Sequence, residues 1–178
     1  MYEQVLKFWF EDIDSKFWWK KDEIFDEQIR TRFSELHLQA TRCELFKWRQ
    51  TPEGRLAEII ILDQFSRNMF RDSPLAFAND TLALALAQEA VATGADKNLV
   101  LRQRSFLYMP FMHSESLKIH ETAVELFSQK ELGFNLDFEL KHKAIIERFG
   151  RYPHRNKILG RESTPEELEF LKQPGSGF

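Results

Sequence analysis

The sequence contains little of what several fold classes depend on. Among its 178 residues there is one cysteine, Cys43, so no disulfide can form within the chain, which fits a reducing compartment. The chain has only 7 glycines and 6 prolines, and several of them stand where a helix would begin or end. No segment alternates apolar and polar residues as a strand does. The sequence therefore predicts helices joined by short turns.

Long hydrophobic runs are also missing. The longest aliphatic run, residues 59–62, is far too short to cross a bilayer. The amino terminus lacks the basic start, the apolar run and the cleavage site of a signal peptide. We therefore expect a cytoplasmic protein with no membrane association. The net charge of −3 argues weakly against a general nucleic-acid binder.

Aromatic residues are plentiful, with 17 Phe and 4 Trp. Large rings bury much area each, so a chain of this length can build a sizeable core. Residues 8–10 and 17–19 concentrate six of these rings near the amino terminus, where we expect most of them to be buried rather than to form a subunit contact. With no linker or low-complexity tract in view, we predict one domain over residues 1–178.

Apolar spacing and cap residues predict eight helices. Their approximate ranges are 3–11, 22–41, 52–70, 74–93, 100–110, 114–132, 135–150 and 164 onward. Short turns between helices favour antiparallel neighbours, and the alanine-rich range 76–92 favours close approach of helix axes. We therefore predict an all-α fold, an array of antiparallel helix pairs with a tetratricopeptide-like right-handed superhelix.

The helix predicted from residue 52 ends in a dense polar cluster. Residues 59–62 are aliphatic and point in four directions around the axis, which is typical of a buried helix. Asp63, Arg67 and Arg71 then follow at four-residue steps along one side, and Gln64 and Asn68 share another. Such a cluster either locks helices together as an ion-pair network or lines a pocket, and the network is the commoner case.

A strongly basic segment spans residues 148–161. It holds Arg148, Arg151, Arg155, Lys157 and Arg161, together with one histidine and no acid. Arginine forks suit a carboxylate or phosphate. These charges form either an anion site or a set of caps and ion pairs with nearby acids such as Glu147 and Glu162, and the sequence does not decide between the two.

A third stretch, residues 108–115, reads YMPFMHSE. If Pro110 ends one helix and Ser114 begins the next, His113 lies in a tight corner, either as an acid–base group or as a hydrogen-bonded corner residue. Metal motifs fail: Glu139 and His142 form a single Glu-x-x-His step, and one cysteine cannot build a structural zinc site. We predict no metal and no cofactor.

Together these stretches resemble a known family. The segments WRQTPEGRL (48–56), LDQFSRNMFR (62–71), YMPFMHSE (108–115), RFGRYPHRN (148–156) and GRESTPEE (160–167) look like those of the bacterial family catalogued as domain of unknown function 924. The resemblance covers nearly the whole chain. It implies a tetratricopeptide-like all-helical fold and supplies no established activity or catalytic residue.

The three polar stretches coincide with the segments that carry the resemblance, which suggests one shared site. We expect the following side chains to converge around a concave, net-positive surface: Asp63, Arg67, Asn68, Arg71, His113, Arg148, Arg151, His154, Arg155 and Asn156. Four functions remain open. The first is a binding domain for an anionic small molecule or acidic peptide. The second is a hydrolase or transferase with Asp63, His113 or His154 as acid–base group. The third is a purely structural polar network. The fourth and weakest is RNA binding by the basic segment with its interleaved aromatic residues.

Overall fold

The computed structural model describes residues 1–177, which form helices and turns with no strand. The predicted all-α class is therefore confirmed. The α-helices are α1 (Tyr2–Lys7), α2 (Glu23–Thr41), α3 (Pro52–Ile60), α4 (Ser66–Met69), α5 (Asp80–Ala92), α6 (Leu101–Met112), α7 (Leu117–Phe127), α8 (Gly133–Phe149) and α9 (Pro165–Phe170). Short 3₁₀ turns join several of them, and none of these helices is long and apolar enough to cross a membrane.

The chain divides into two compact units. Unit 1 comprises Met1–Arg71 and Leu75–Pro110, and unit 2 comprises Asp72–Pro74 and Phe111–Phe178. Unit 1 contains α1 to α5 and most of α6, whereas unit 2 contains α7, α8 and α9. One domain over residues 1–178 and the tetratricopeptide-like superhelix remain predictions.

An aromatic cluster fills the core of unit 1. Phe8 and Trp9, just after α1, are almost fully buried, as expected for the aromatic amino terminus. The ring of Phe33 lies 5.0 Å from that of Phe8 and 4.9 Å from that of Phe65, and the Trp9 and Phe65 rings are 5.6 Å apart. Distances in this range are those of favourable aromatic pairs. Trp19 differs, since it is 58% exposed.

The helix predicted from residue 52 begins as expected, but it changes from α-helical to π-helical geometry after Ile60. Thr51 caps it by accepting a hydrogen bond from the Gly54 amide, and Pro52 occupies the first turn. The chain then passes through a π turn, Ile61–Phe65, before α4. All seven residues from 59 to 65 are buried, so the aliphatic run does lie inside the unit.

Glycine at position 54 is required by a close approach. A Cβ added at Gly54 would lie 2.1 Å from the carbonyl oxygen of Trp48. The turn before α3 therefore packs directly on the helix backbone. Helix α5 also packs against α3, and its Ala83, Ala87 and Ala90 have no exposed surface.

Five predicted helix boundaries are wrong. Pro74 opens only a short 3₁₀ turn, and the alanine-rich helix begins at Asp80. Helix α6 runs through Pro110 to Met112 instead of ending at the proline. Helix α7 has Ser116 rather than Ser114 at its N-cap, and it ends at Phe127. Helix α8 begins at Gly133, before the predicted Asn135 or Asp137.

In unit 2, α7 packs against α8. Gly150 ends α8 in the left-handed conformation with φ of 67°, as the sequence predicts. Behind it Tyr152 packs on Ile145 and Ile146, with no exposed surface of its own. Helix α9 begins with a capping box in which Thr164 and Glu167 bind each other's backbone amide.

Candidate functional site

The predicted polar cluster of unit 1 is a set of ion pairs. The Arg67 guanidinium binds both carboxylate oxygens of Asp80, at 2.9 and 3.0 Å, and also reaches Asp63 Oδ1 at 3.2 Å. Gln64 donates to the other oxygen of Asp63 at 2.6 Å. Asp63 is 1% exposed, so its charge is buried but balanced by Arg67.

The remaining two residues of this cluster, Asn68 and Arg71, both bind Asp26. Arg71 binds both oxygens of Asp26, at 2.6 and 2.7 Å, and Asn68 donates to Asp26 Oδ1 at 2.8 Å. Asp26 lies on α2, 42 residues before Asn68 and 45 residues before Arg71, and is buried. The network therefore ties α2 to the segment around α4.

Sequence reasoning missed the two aspartates that organise this network. Asp26 precedes Ile29 and Phe33 by three and seven residues, so it stands on the apolar stripe of α2. An acid on a buried helix face needs a cationic partner, and this position was the available signal. The cluster holds two arginines and three aspartates, so its formal charge is +2 − 3 = −1 rather than positive.

A buried histidine–serine contact in unit 1 has the wrong polarity for a nucleophile. Ser66 Oγ donates to the carbonyl of Leu62 at 2.6 Å, and His37 Nε2 lies 2.8 Å from the same Oγ. Because the serine proton is committed to a carbonyl, the imidazole must donate to the hydroxyl. Burial lowers the pKa of His37, which keeps this ring neutral. The contact is structural.

In unit 2, three successive carbonyls at the end of α6 and just beyond it are each bound by a different side chain. Tyr152 Oη donates to Met112 at 2.6 Å, the Arg155 guanidinium to His113 at 3.0 Å, and His120 Nε2 to Ser114 at 2.8 Å. The last carbonyls of a helix have no partner within it, so such contacts complete the helix end. We call residues 112–115 the His113 corner.

The fourth residue of the His113 corner is fixed by its own side chain. Glu115 accepts two hydrogen bonds from Arg161, at 2.7 and 2.9 Å, and one from the Tyr152 amide at 2.7 Å. Burial raises the pKa of Glu115, but the Arg161 and Tyr152 hydrogen bonds outweigh it and leave the pKa below its usual value. Every residue of the corner is thus held by a side-chain contact within unit 2.

Arg155 lies at the centre of this arrangement. It is 6% exposed, and its guanidinium lies 4.7 Å from the centroid of the Tyr152 ring while donating to the His113 carbonyl. Its charge also helps to lower the pKa of Glu115. His113 and His154 are half-buried beside it. The structure thus brings the His113 backbone into contact with Arg155 of the basic segment.

Other predicted members of the basic segment bind glutamates in the first turn of α9. Arg151 binds both oxygens of Glu167 at 2.6 and 2.8 Å, and Arg148 pairs with Glu166 at 2.8 Å. Arg151 holds the pKa of Glu167 down at about 2. Asn156 donates to Ser163 at 3.0 Å and is buried. These contacts are those of a scaffold that fixes the segment.

Three titratable groups of unit 2 were not chosen from the sequence. His120 is fully buried, and its Nδ1 lies 2.6 Å from Oε1 of Glu139, which is also fully buried. His142 donates from Nδ1 to the Phe138 carbonyl, and burial lowers its pKa to about 3. The charges of His113, His120 and His154 add to that shift, so all four histidines share one electrostatic neighbourhood.

The ten predicted residues are therefore divided between the units. Asp63, Arg67, Asn68 and Arg71 belong to unit 1, and His113, Arg148, Arg151, His154, Arg155 and Asn156 belong to unit 2. A site shared by all ten stays a prediction. Within residues 1–177 no three His, Cys, Asp or Glu side chains are grouped so that they could hold a metal ion.

Two comparisons place the chain among known proteins. Residues 5–175 match the family described as bacterial protein of unknown function (DUF924). A solved structure, the protein of unknown function ATU0120 from Agrobacterium tumefaciens, is 40% identical, with a TM-score of 0.91 over 96% of each chain. No curated protein matches the chain. Together with the segments already described, these matches show that the chain belongs to the DUF924 family.

Proposed function

We propose that this chain is a helical binding domain that takes a small anionic group, a carboxylate or phosphate, beside His113, His154 and Arg155. One observation carries the proposal. A buried guanidinium is held on an aromatic ring and a carbonyl, next to two half-exposed imidazoles. Fixing a cation in this way removes the ordering cost that a flexible side chain would have on binding. A metabolite or an acidic peptide could supply the anion.

The proposal narrows the predicted site to three of its ten residues. Asp63, Arg67 and Arg71 are engaged in charge pairs, and so are Arg148 and Arg151. The two amide side chains, Asn68 and Asn156, also serve these networks. For these seven residues the contacts support the structural alternative. A cytoplasmic location, inferred from the sequence, belongs to the same proposal.

A hydrolase or transferase has weaker support. Both oxygens of Asp63 accept hydrogen bonds, from Arg67 and Gln64, which leaves the carboxylate poorly suited to accept a proton from a substrate. Ser66 is bound in the polarity opposite to that of an activated nucleophile. His113 and His154 would then be the acid–base candidates of that function.

Sulfate is a suitable probe because its charge does not change over the pH range in which histidine titrates. We expect it to shift the imidazole signals of His113 and His154 in NMR titrations, since N–H donors beside a doubly charged anion form charge-assisted hydrogen bonds with it. His113→Asn and His154→Asn should each weaken binding. Lys157→Ala removes an exposed cation of the same segment and is the control.

Two results would overturn the proposal. In the first, no NMR signal of unit 2 shifts in a saturable way as sulfate is added, which means that unit 2 has no sulfate site. In the second, Lys157→Ala weakens binding as much as His113→Asn does, and the ion then responds only to the general charge of the segment. Repeating the titration with a glutamate-rich peptide tells a metabolite-sized site from a peptide site.

A further inference from the structure

A buried series of hydrogen bonds runs from Glu139 through His120 and Tyr152 to the Met112 carbonyl. The acceptors in this series fix which atoms must donate. Tyr152 Oη lies 2.6 Å from the Met112 carbonyl, which can only accept, so the phenol donates there. His120 Nε2 lies 2.8 Å from the Ser114 carbonyl and 3.2 Å from Tyr152 Oη. Both of these oxygens require a hydrogen on Nε2. The tautomer of His120 is therefore set by its partners.

A second hydrogen is needed on the other side of the ring. Nδ1 of His120 and Oε1 of Glu139 are 2.6 Å apart, a distance that two lone pairs cannot share. Either His120 is cationic and Glu139 ionised, or His120 is neutral and Glu139 carries the proton. In both cases the pair holds one proton in addition to the Nε2 hydrogen, and its net charge is zero.

We propose that the His120–Glu139 pair is a one-proton latch on the His113 corner, which opens when the pH rises and the shared proton is lost. Without that proton, a carboxylate oxygen faces the bare Nδ1. If the Nε2 hydrogen moves to Nδ1 to relieve the repulsion, Nε2 faces the Ser114 carbonyl with a lone pair. In the first case the hydrogen bond between His120 and Glu139 is lost, and in the second the hydrogen bond from His120 to the Ser114 carbonyl is lost. The consequence for anion binding rests on the proposed function, whereas the latch itself does not.

The surroundings of Glu139 disfavour its ionised form. The side chain has no exposed surface, and Oε2 has no hydrogen-bond partner among residues 1–177. Burial accordingly raises the pKa of Glu139, while the His120 hydrogen bond and the charges of His120 and Lys143 oppose that shift. The charged or titratable neighbours of the pair are Lys143 and His142 of α8 and Tyr152, and His113 and His154 act in turn on His142.

The direction of the pH effect follows from linkage. A carboxyl group whose pKa is raised on folding contributes stability that is complete below its unfolded pKa and is lost as the pH rises through its folded pKa. The latch is therefore closed on the acid side and opens on the alkaline side.

The substitution Glu139→Gln tests the latch, because the glutamine amide can donate to Nδ1 without any titrating proton. In wild type, the backbone amide signals of His113 and Ser114 should move through one transition as the pH rises, and the melting temperature should fall relative to the variant. Glu139→Gln should abolish that transition. Glu121→Gln, at an exposed glutamate of α7, is the matched control and should behave like wild type.

Two outcomes would overturn the latch. The first is a Glu139→Gln variant whose corner signals still move through the wild-type transition. The second is read in wild type alone, in case the variant does not fold: the ¹⁵N signals of His120 show that Nε2 carries no hydrogen at low pH. Sulfate binding measured in Glu139→Gln separates the proposals. If the transition disappears and no sulfate binds to any form, the latch stands and the anion site does not.

Discussion

Arg67 and Arg71 of unit 1 bind aspartates through two guanidinium nitrogens each, whereas the carbonyls of Met112 and Ser114 in unit 2 are bound by a tyrosine and a histidine. Both arrangements bury polar groups, Asp63 and Asp26 in unit 1 and Tyr152 and His120 in unit 2. The first uses charges that arginine never loses, and the second uses a phenol and an imidazole. Two regions of one chain therefore meet the same requirement with different chemistry.

The difference predicts different responses to pH. Of the five histidines, four belong to unit 2, and only His37 belongs to unit 1. All four tryptophans, at positions 9, 18, 19 and 48, belong to unit 1. Tryptophan fluorescence therefore follows unit 1 and histidine NMR signals follow mainly unit 2, so the two regions can be compared in a single protein.

The largest effect is expected at His142 of unit 2. Its folded pKa of about 3 lies below the unfolded value of 6.5, so the stability it contributes is present above pH 6.5 and lost as the pH falls toward 3. The shift corresponds to at most about 5 kcal/mol. His142→Asn should be less stable than wild type at neutral pH but should lose much less stability in acid.

Urea unfolding from pH 7 to pH 4, followed by histidine NMR signals of unit 2, measures this effect. Lys141→Gln removes an exposed positive charge next to His142 and serves as the control, with the wild-type pH slope. Parallel curves for wild type and His142→Asn would mean that His142 is not kept neutral by burial. The acid sensitivity of unit 2 would then have to come from its carboxylates.

A smaller effect is expected at Asp26 of unit 1, where the charges are fixed. Asp26→Ala leaves Arg71 and Asn68 without their shared acceptor in a site that is largely buried, and we expect a loss of about 3 kcal/mol. Glu27→Ala on the same helix disturbs an exposed pair with Arg30 and an exposed hydrogen bond from Thr31, and should cost less than about 1 kcal/mol. Urea unfolding followed by tryptophan fluorescence compares the two, and equal losses would contradict the network.

Much of the fold could be predicted because its signals are local. Thr51, Gly94, Gly150 and Thr164 stand at helix ends where a side-chain oxygen or a positive φ is needed, and the structure uses all four in that way. The continuation of α6 through Pro110 has no such local signal. The end of that helix is stabilised by Tyr152, Arg155 and His120, which lie elsewhere in the sequence.

The candidate site was harder to predict, again because its decisive contacts join residues that are far apart in the sequence. Periodicity shows that Asp63 and Arg67 share a helix face, and their contact confirms this. It does not show which distant residue meets that face, so Asp80 and Asp26 were missed. His120 and Glu139 were missed because each lies among other polar residues of its helix, α7 or α8, and only their contact reveals a shared proton.

The smallest effect compares two adjacent glutamates of unit 2. Glu167 accepts two hydrogen bonds from Arg151 and one from the Thr164 amide, and Arg151 lowers its pKa to about 2. A lowered pKa gives stability that is present above the unfolded pKa of 4.5 and is lost as the pH falls through 2. Glu167→Gln should therefore cost about 2 kcal/mol at neutral pH, and less as the pH falls below 4.

The neighbouring Glu166 is the control, because its pair with Arg148 is exposed on both sides and should be worth less than about 0.5 kcal/mol. Hydrogen exchange of the backbone amides in α9 measures both variants. Equal protection in Glu166→Gln and Glu167→Gln would show that the two-nitrogen contact of Arg151 with Glu167 stabilises α9 no more than the exposed pair of Arg148 and Glu166 does. If Glu167→Gln costs more than Glu166→Gln and the difference disappears in acid, then unit 2 also contains a carboxylate held by a permanent arginine charge. The contrast in chemistry between the two units is then limited to the His113 corner.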